Sequence, residues 1–189
     1  MQADLAHLRA LYATTDDPWR FRTSPYEAMK YDATLDALPR AQFAHALEIG
    51  CGNGELARRI APRCAAYTGL DAVDVALEAA RRAVPEGRFV QAFLPCELPE
   101  GDYDLVVLSE ILYFLDPDGI DALVEQIDRR WAGADLLAVT WCGPSGHLLS
   151  GEEACSLFAA ATPRRHEAVE RVSPDFRIDR FAPLDGQRA

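Results

Sequence analysis

Three closely spaced glycines and an aspartate stand out for the chemistry that their positions allow. The segment 47–54 reads Leu-Glu-Ile-Gly-Cys-Gly-Asn-Gly, follows an apolar run and opens a helical pattern. A strand that turns sharply into a helix needs residues without a Cβ, so that the backbone can approach a ligand. Asp71 ends the next apolar run, where its carboxylate can accept hydrogen bonds from ribose hydroxyls. This spacing predicts a nucleoside cofactor, and the competing interpretation of Asp71 is a cap for a helix that begins near Val73.

The glycine spacing disfavours a dinucleotide. Dinucleotide-binding domains carry G-x-G-x-x-G, whereas here Gly54 comes one position early and Glu55 stands where that glycine would allow close helix packing. Glu55 is also expected at a helix N-terminus, where its charge would oppose a bound pyrophosphate. S-adenosylmethionine has no phosphate and avoids this repulsion. The alternatives that remain are an NAD-dependent oxidoreductase and a noncatalytic S-adenosylmethionine-binding module.

Polar and aromatic residues follow the later apolar runs. Ser109, Glu110 and Tyr113 come after the run at 103–108, and Trp141 and His147 follow the run at 136–141. Since ligands bind at the carboxyl ends of parallel strands, we expect these residues in one cleft. Glu110 or His147 is a candidate to take a proton from a substrate. Each residue also has a structural interpretation, as a helix cap, a core residue or a cover for the sheet edge.

The elements that must position these residues follow from apolar runs alternating with helical patterns. Strands are predicted at 44–49, 66–70, 87–92, 103–108 and 136–141, and helices at 55–61, 73–84 and 119–131. The last two runs, 166–172 and 176–182, are separated by a turn too short for a crossover helix and predict an antiparallel hairpin. The predicted fold class is α/β, with a Rossmann-like sheet of seven strands that is mostly parallel.

The residues before the first strand form an extension to this core. Region 4–38 predicts two helices interrupted around 16–18, because a proline and its predecessor disfavour continued helix. The aromatic residues of this extension either pack as core or form a lid over a ligand, and they are Tyr12, Trp19, Phe21, Tyr26 and Tyr31. We expect one domain over 1–189, with a helical extension or lid at 1–43 and the core at 44–182.

Composition narrows the classes of partner and compartment. A net charge of −11 disfavours nucleic acid and anionic lipid. Arg58, Arg59 and Arg63 are expected on a solvated helix face. The five cysteines contain no C-x-x-C pair and predict neither a disulfide framework nor a metal site, as in a cytoplasmic protein with reduced thiols. We expect neither export nor a membrane span, and the sequence leaves the oligomeric state open.

These segments resemble a known family. Class I S-adenosylmethionine-dependent methyltransferases carry a motif like 48–54 followed by an acid like Asp71. The segments 16–21, 26–27, 30–31, 34–35 and 38–39 are similar to nodulation protein S and its relatives. Segments 103–105 and 109–115 are similar to the fourth-strand region of the same family. The resemblance covers nearly the whole chain, and its N-terminal part is more specific than the glycine motif.

The resemblance implies methyl transfer from S-adenosylmethionine to a small molecule, and an amine or amino sugar as acceptor, since the relatives are N-methyltransferases. The residues expected to contact the cofactor are Glu48, Gly50, Cys51, Gly52, Gly54, Asp71, Ala72, Phe93 and Ser109. Catalytic roles are expected for Glu110, Tyr113 and His147, and acceptor contacts for Trp19, Tyr26, Tyr31 and Trp141. Phe93 stands where many members have an acid for the adenine amino group, so backbone groups, Ala72 and Phe93 are expected to hold adenine. Cys51 is expected to be a small filler residue rather than a nucleophile.

Overall fold

A computed structural model describes residues 5–144, 146–173 and 175–184 of the protein, the side chains of 168–172 excepted. Its strands are β1 (Phe43–Ile49), β2 (Cys64–Asp71), β3 (Arg88–Gln91), β4 (Leu105–Ser109), β5 (Asp135–Trp141), β6 (His166–Ser173) and β7 (Phe176–Phe181). They form one sheet in the order β3-β2-β1-β4-β5-β7-β6. The first five strands are parallel, and β7 runs antiparallel to β5 and β6. The predicted seven-stranded sheet with a terminal hairpin is confirmed; Pro174 of the predicted turn lies outside the described residues.

The strand order reverses between β1 and β4, and this reversal positions the site. The two strands pair in parallel from Ala46 opposite Leu105 to Ile49 opposite Leu108. All of 46–49 and 105–108 is buried, as expected for central parallel strands covered on both faces. The chain therefore leaves the sheet at Gly50 and after Ser109 side by side, at the crevice where α/β sheets bind ligands.

The helices are α1 (Leu5–Leu11), α2 (Pro25–Asp36), α3 (Ala57–Ile60), α4 (Asp74–Ala83), α5 (Pro117–Arg130) and α6 (Gly151–Ala161). The predictions for α3, α4 and α5 are confirmed to within two residues, and α3 ends early because a 3-10 turn containing Pro62 follows it. Helix α6 was not predicted. Its start carries a capping box between Ser150 and Glu153, an S-x-x-E signal that is visible in the sequence.

The two predicted N-terminal helices are present as α1 and α2. The connection between them, 12–24, is longer than the break predicted around 16–18. Tyr12 packs on Val73 and Ala76 beside α4. The expectation that Arg59 and Arg63 lie on a solvated face is wrong. The Arg59 guanidinium stacks 4.6 Å from the Tyr31 ring centroid, and Arg63 donates to a carbonyl at the end of α2. Within the described ranges no helix has the length and apolarity to cross a membrane.

Candidate active site

The glycine loop leaves β1 in a conformation that only small residues allow. Gly50 has φ +88°, and a Cβ there would overlap the backbone oxygen of Ser109. The amides of Gly50 and Cys51 both donate to the Leu70 carbonyl, at 2.8 and 2.9 Å. The loop is thereby held between β2 and β4. The Cys51 thiol is buried, and burial raises its pKa well above the ordinary value, which supports a filler role.

Gly54 is the one predicted cofactor residue that lies outside the cavity. Its φ is +83°, and a Cβ there would meet the Ala80 Cα of α4 at 2.8 Å. Gly54 therefore allows close packing on α4. The sequence analysis expected this packing to be missing, because Glu55 stands at the usual position of the third glycine. Glu55 is buried and paired with Arg58 at 2.6 Å and Arg59 at 3.1 Å. These guanidinium groups offset the charge of Glu55 and weaken the basis for the predicted repulsion of a pyrophosphate, which stays a prediction.

Asp71, at the end of β2, joins the glycine loop to the start of α4. Its Oδ2 accepts from the Gly52 amide at 2.9 Å, and its Oδ1 accepts from the Val73 amide at 3.0 Å. Burial raises the pKa of Asp71, although these backbone hydrogen bonds lower it. Val73 is itself the N-cap residue of α4, which has no side-chain cap, so this bond supports the entry to the helix and does not cap it. A carboxylate has about four lone-pair sites, so these two bonds leave others unused.

A cavity of about 650 Å³ lies against the carboxyl edge of the sheet, beneath the N-terminal segment. This volume is within the range of small-molecule sites. The predicted site residues that line it are Trp19, Tyr26, Tyr31, Glu48, Gly50, Cys51, Gly52, Asp71, Ala72, Phe93, Ser109, Glu110, Tyr113, Trp141 and His147. The structure thus brings together in one cavity residues that are spread over most of the chain.

Glu48 lines this cavity although almost all of its surface is buried. Its Oε2 accepts from the Tyr67 hydroxyl at 2.5 Å, while Oε1 is buried without a hydrogen-bond partner among the described residues. Burial raises the pKa of Glu48 to about 7, against the lowering effect of hydrogen bonds from the Tyr67 and Ser109 hydroxyls. A buried oxygen without a partner beside a cavity is a position where a ligand donor fits.

At the other end of the cavity Glu110 is held by several donors. Lys30 Nζ lies 2.7 Å from Glu110 Oε1, the Trp141 amide donates to Oε2 at 2.5 Å, and the Tyr113 hydroxyl lies 3.3 Å from the same oxygen. Lys30 also contacts both oxygens of Glu27, at 2.9 and 3.1 Å. Lys30 and Glu27 were not predicted as site residues. Their i,i+3 spacing is typical of an ion pair on an exposed helix face. The signal that could have identified them is their position on the face of α2 that the aromatic residues mark as buried.

Aromatic rings form much of the wall near Glu110. Tyr26 packs edge-to-face on Trp141 at 5.9 Å between centroids, and His147 stacks on Tyr113 at 5.5 Å. Burial lowers the pKa of His147, so its neutral form, which can accept a proton, is favoured. Tyr31 is buried in the core as well as lining the cavity, so the core-packing interpretation holds for it in part.

The connection 12–24 lies directly on the glycine loop. Asp17 accepts from the Phe21 amide at 2.7 Å and from the Asn53 side chain at 3.0 Å. The Phe21 ring faces Gly52, and Trp19 stacks on Phe21 with 43% of its surface exposed. This arrangement covers the cavity, and whether the cover moves on ligand binding stays a prediction.

The expected adenine end of the cavity has no acidic side chain after β3. Phe93 lies half-exposed at the rim, and Gln91 donates to the Ala72 carbonyl at 3.1 Å. The roles of Ala72 and Phe93 toward adenine stay predictions.

The chain is similar to proteins of one family. The family model "Nodulation protein S (NodS)" matches residues 2–160. Nodulation protein S of Rhizobium tropici is 32% identical over 72% of this chain, which spans 55% of that protein. The Bradyrhizobium diazoefficiens protein of the same name is 29% identical over 92% of this chain and 90% of its own. The crystal structure of N-methyltransferase NodS from Bradyrhizobium japonicum, in complex with S-adenosylhomocysteine, has a TM-score of 0.75 at 20% identity, over 95% of this chain and 98% of that one.

Proposed function

We infer that the chain, which belongs to the nodulation protein S family, is an S-adenosylmethionine-dependent methyltransferase acting on a small molecule. We propose that its acceptor is an amine or an amino sugar. The solved relative is named an N-methyltransferase. In this chain the proposed acceptor end of the cavity carries Glu110, whose carboxylate can bind a protonated amine.

The residues at the glycine end fit the cofactor. Asp71 keeps two lone-pair sites for ribose hydroxyls, Glu48 Oε1 is buried without a partner among the described residues, and the glycine loop exposes backbone to the cavity. We assign the cofactor contacts to Glu48, Gly50, Cys51, Gly52 and Asp71, with Ala72, Phe93 and Ser109 around them. Gly54 is left out of this set because it packs on α4.

When bound, S-adenosylmethionine supplies a methyl group on a sulfonium and leaves as neutral S-adenosylhomocysteine. The acceptor nitrogen forms the new N–C bond as the C–S bond breaks toward sulfur, so the chain has mainly to align the nitrogen. An amine with a pKa of about 10 is protonated at neutral pH and has no lone pair to give. We propose that Glu110 takes this proton, that Tyr113 fixes its carboxylate, and that neutral His147 is a second candidate base.

The observation that carries the proposal is one cavity that joins the glycine loop and Asp71 to Glu110. An NAD-dependent oxidoreductase is disfavoured by the terminal hairpin and the family. A noncatalytic binding module would have an apolar wall in place of the acceptor site, whereas this wall holds Glu27, Lys30 and Glu110.

The same proposal extends to location and partners. Five free cysteines and a net charge of −11 favour a cytoplasmic protein that does not bind nucleic acid. Cell fractionation tests the location, since recovery in an exported fraction would contradict it.

Calorimetry with S-adenosylhomocysteine and with NAD tests the cofactor. We expect binding of the first only, and tighter binding of NAD would refute the proposal. Screening small amines and amino sugars with radiolabelled cofactor then tests the acceptor class.

Limited proteolysis with and without S-adenosylhomocysteine tests whether the segment 19–31 closes over the cavity as a lid. We expect slower cleavage with ligand, because a closed lid excludes protease as well as water.

A further inference from the structure

Lys30 is a buried ammonium shared by two carboxylates. Only 5% of the residue is exposed, and its Nζ lies within 3.1 Å of oxygens of both Glu27 and Glu110. Burial lowers the pKa of Lys30, but Glu110 and Glu27 more than offset that effect and the net shift is upward. The ammonium therefore stays charged, and the triad of Glu27, Lys30 and Glu110 carries a formal charge of −1.

Glu110 has a backbone conformation that residues with a Cβ seldom adopt. Its φ is +58°, in the left-handed region. Lys30, the Trp141 amide and the Tyr113 hydroxyl hold its carboxylate from three directions. Three of about four lone-pair sites are used, so one remains for a further donor.

The electrostatics of the wall favour a cation. Lys30 is the sole lysine or arginine among the described residues that line the cavity, and its donors are directed at carboxylates. An anionic acceptor would therefore meet no available cation. A cationic amine would meet the open site of Glu110 and the Tyr26 ring, whose centroid already lies 5.7 Å from Lys30 Nζ.

We propose that the Glu27–Lys30–Glu110 triad is the acceptor subsite, and that Lys30 is a positioning residue that holds Glu110 and leaves one net negative charge to select a cationic amine. The inference rests on the proposed methyl transfer, and it adds the charge state in which the amine is selected and the residues that recognise it.

A pair of cofactor analogues reports this charge without an acceptor. Sinefungin carries an ammonium where the cofactor carries its reactive methyl, and S-adenosylhomocysteine is neutral there. Calorimetry on the full chain gives the ratio of their affinities. Glu27→Gln makes the triad neutral, Lys30→Met gives it a charge of −2, and the double variant restores −1.

We expect the preference for sinefungin to fall at least about tenfold in Glu27→Gln and to rise at least about tenfold in Lys30→Met, since unit charges a few ångströms apart interact by more than that factor at the effective dielectric of a protein surface. The double variant and Lys30→Arg should keep the parent ratio. Circular dichroism checks folding. If Lys30→Met does not fold, the isosteric Glu27→Gln and the double variant decide.

Two results would overturn the inference. If Lys30→Met loses affinity for both analogues equally, so that the ratio of affinities is unchanged, Lys30 binds the carboxylate common to both ligands. Ratios that stay at the parent value in Glu27→Gln would mean that the triad has only a structural role. Failure of the parent protein to bind S-adenosylhomocysteine is a separate result, which would refute the proposed function and the inference with it.

Discussion

Replacing Asp71 tests the cofactor site most directly. The carboxylate lies at the end of β2 with two lone-pair sites left over from its bonds to the Gly52 and Val73 amides. A hydrogen bond to a charged group contributes about 1.5 to 3 kcal/mol. We therefore expect Asp71→Ala to weaken S-adenosylhomocysteine binding by about tenfold to a hundredfold or more in calorimetry.

The same substitution also removes support from the loop. Two backbone amides lose their acceptor, and each unsatisfied buried donor costs about 1 to 3 kcal/mol. Urea unfolding without ligand measures this part separately. Asp74→Ala is the matched control, because that carboxylate lies three residues further on with 62% of its side chain exposed. We expect it to change neither quantity appreciably.

The outcome that refutes the ribose assignment is specific. If folded Asp71→Ala binds S-adenosylhomocysteine as tightly as the parent while its unfolding free energy falls, Asp71 only supports the loop and the start of α4.

Three further changes test other parts of the structure. Glu110→Gln should lower turnover with an amine acceptor by about a hundredfold or more and leave S-adenosylhomocysteine affinity nearly unchanged, and unaltered turnover would exclude Glu110 as the base. Gly54→Ala should lower the unfolding free energy by about 2 to 4 kcal/mol in urea, because a Cβ at φ +83° meets Ala80, and an unshifted midpoint would contradict this packing. Glu48 has its pKa raised to about 7 in the folded protein, so it binds a proton there that the unfolded chain has released, and its contribution to stability falls as pH rises from about 4.5 to 7. Glu48→Gln should remove this fall of about 1.4 kcal/mol per pH unit, and parallel stability profiles of parent and variant would refute the shift.

Features governed by local spacing were predictable from the sequence. The apolar runs that became β1 and β4 are buried on both faces and need no distant information to be recognised. The order of elements then places the residues that follow them, Gly50 and Glu110, at one edge of the sheet. This is why widely separated segments were correctly expected to share one cleft.

Features that depend on the neighbouring element were not predictable. Lys30 and Glu27 occur at a spacing common on exposed helices, and their burial follows only from α2 lying against Glu110, which is 80 positions away. Gly54 was placed in the wrong role because its close neighbour, Ala80, belongs to the next helix. The helix α6 is a different case, since its capping signal at Ser150 was present and overlooked.

The distance in sequence between Lys30 and Glu110 has a consequence during synthesis. Ribosomes add about 5 to 20 residues per second, so the 80 positions between them separate the two residues by about 4 to 16 seconds. Throughout that interval the ammonium of the nascent chain has no Glu110 to pair with, and the triad of Glu27, Lys30 and Glu110 cannot form. Contacts of such long range form late in folding. The helix α2 is thus translated before every strand of the sheet, and its ion pair with Glu110 forms only after β4 has emerged.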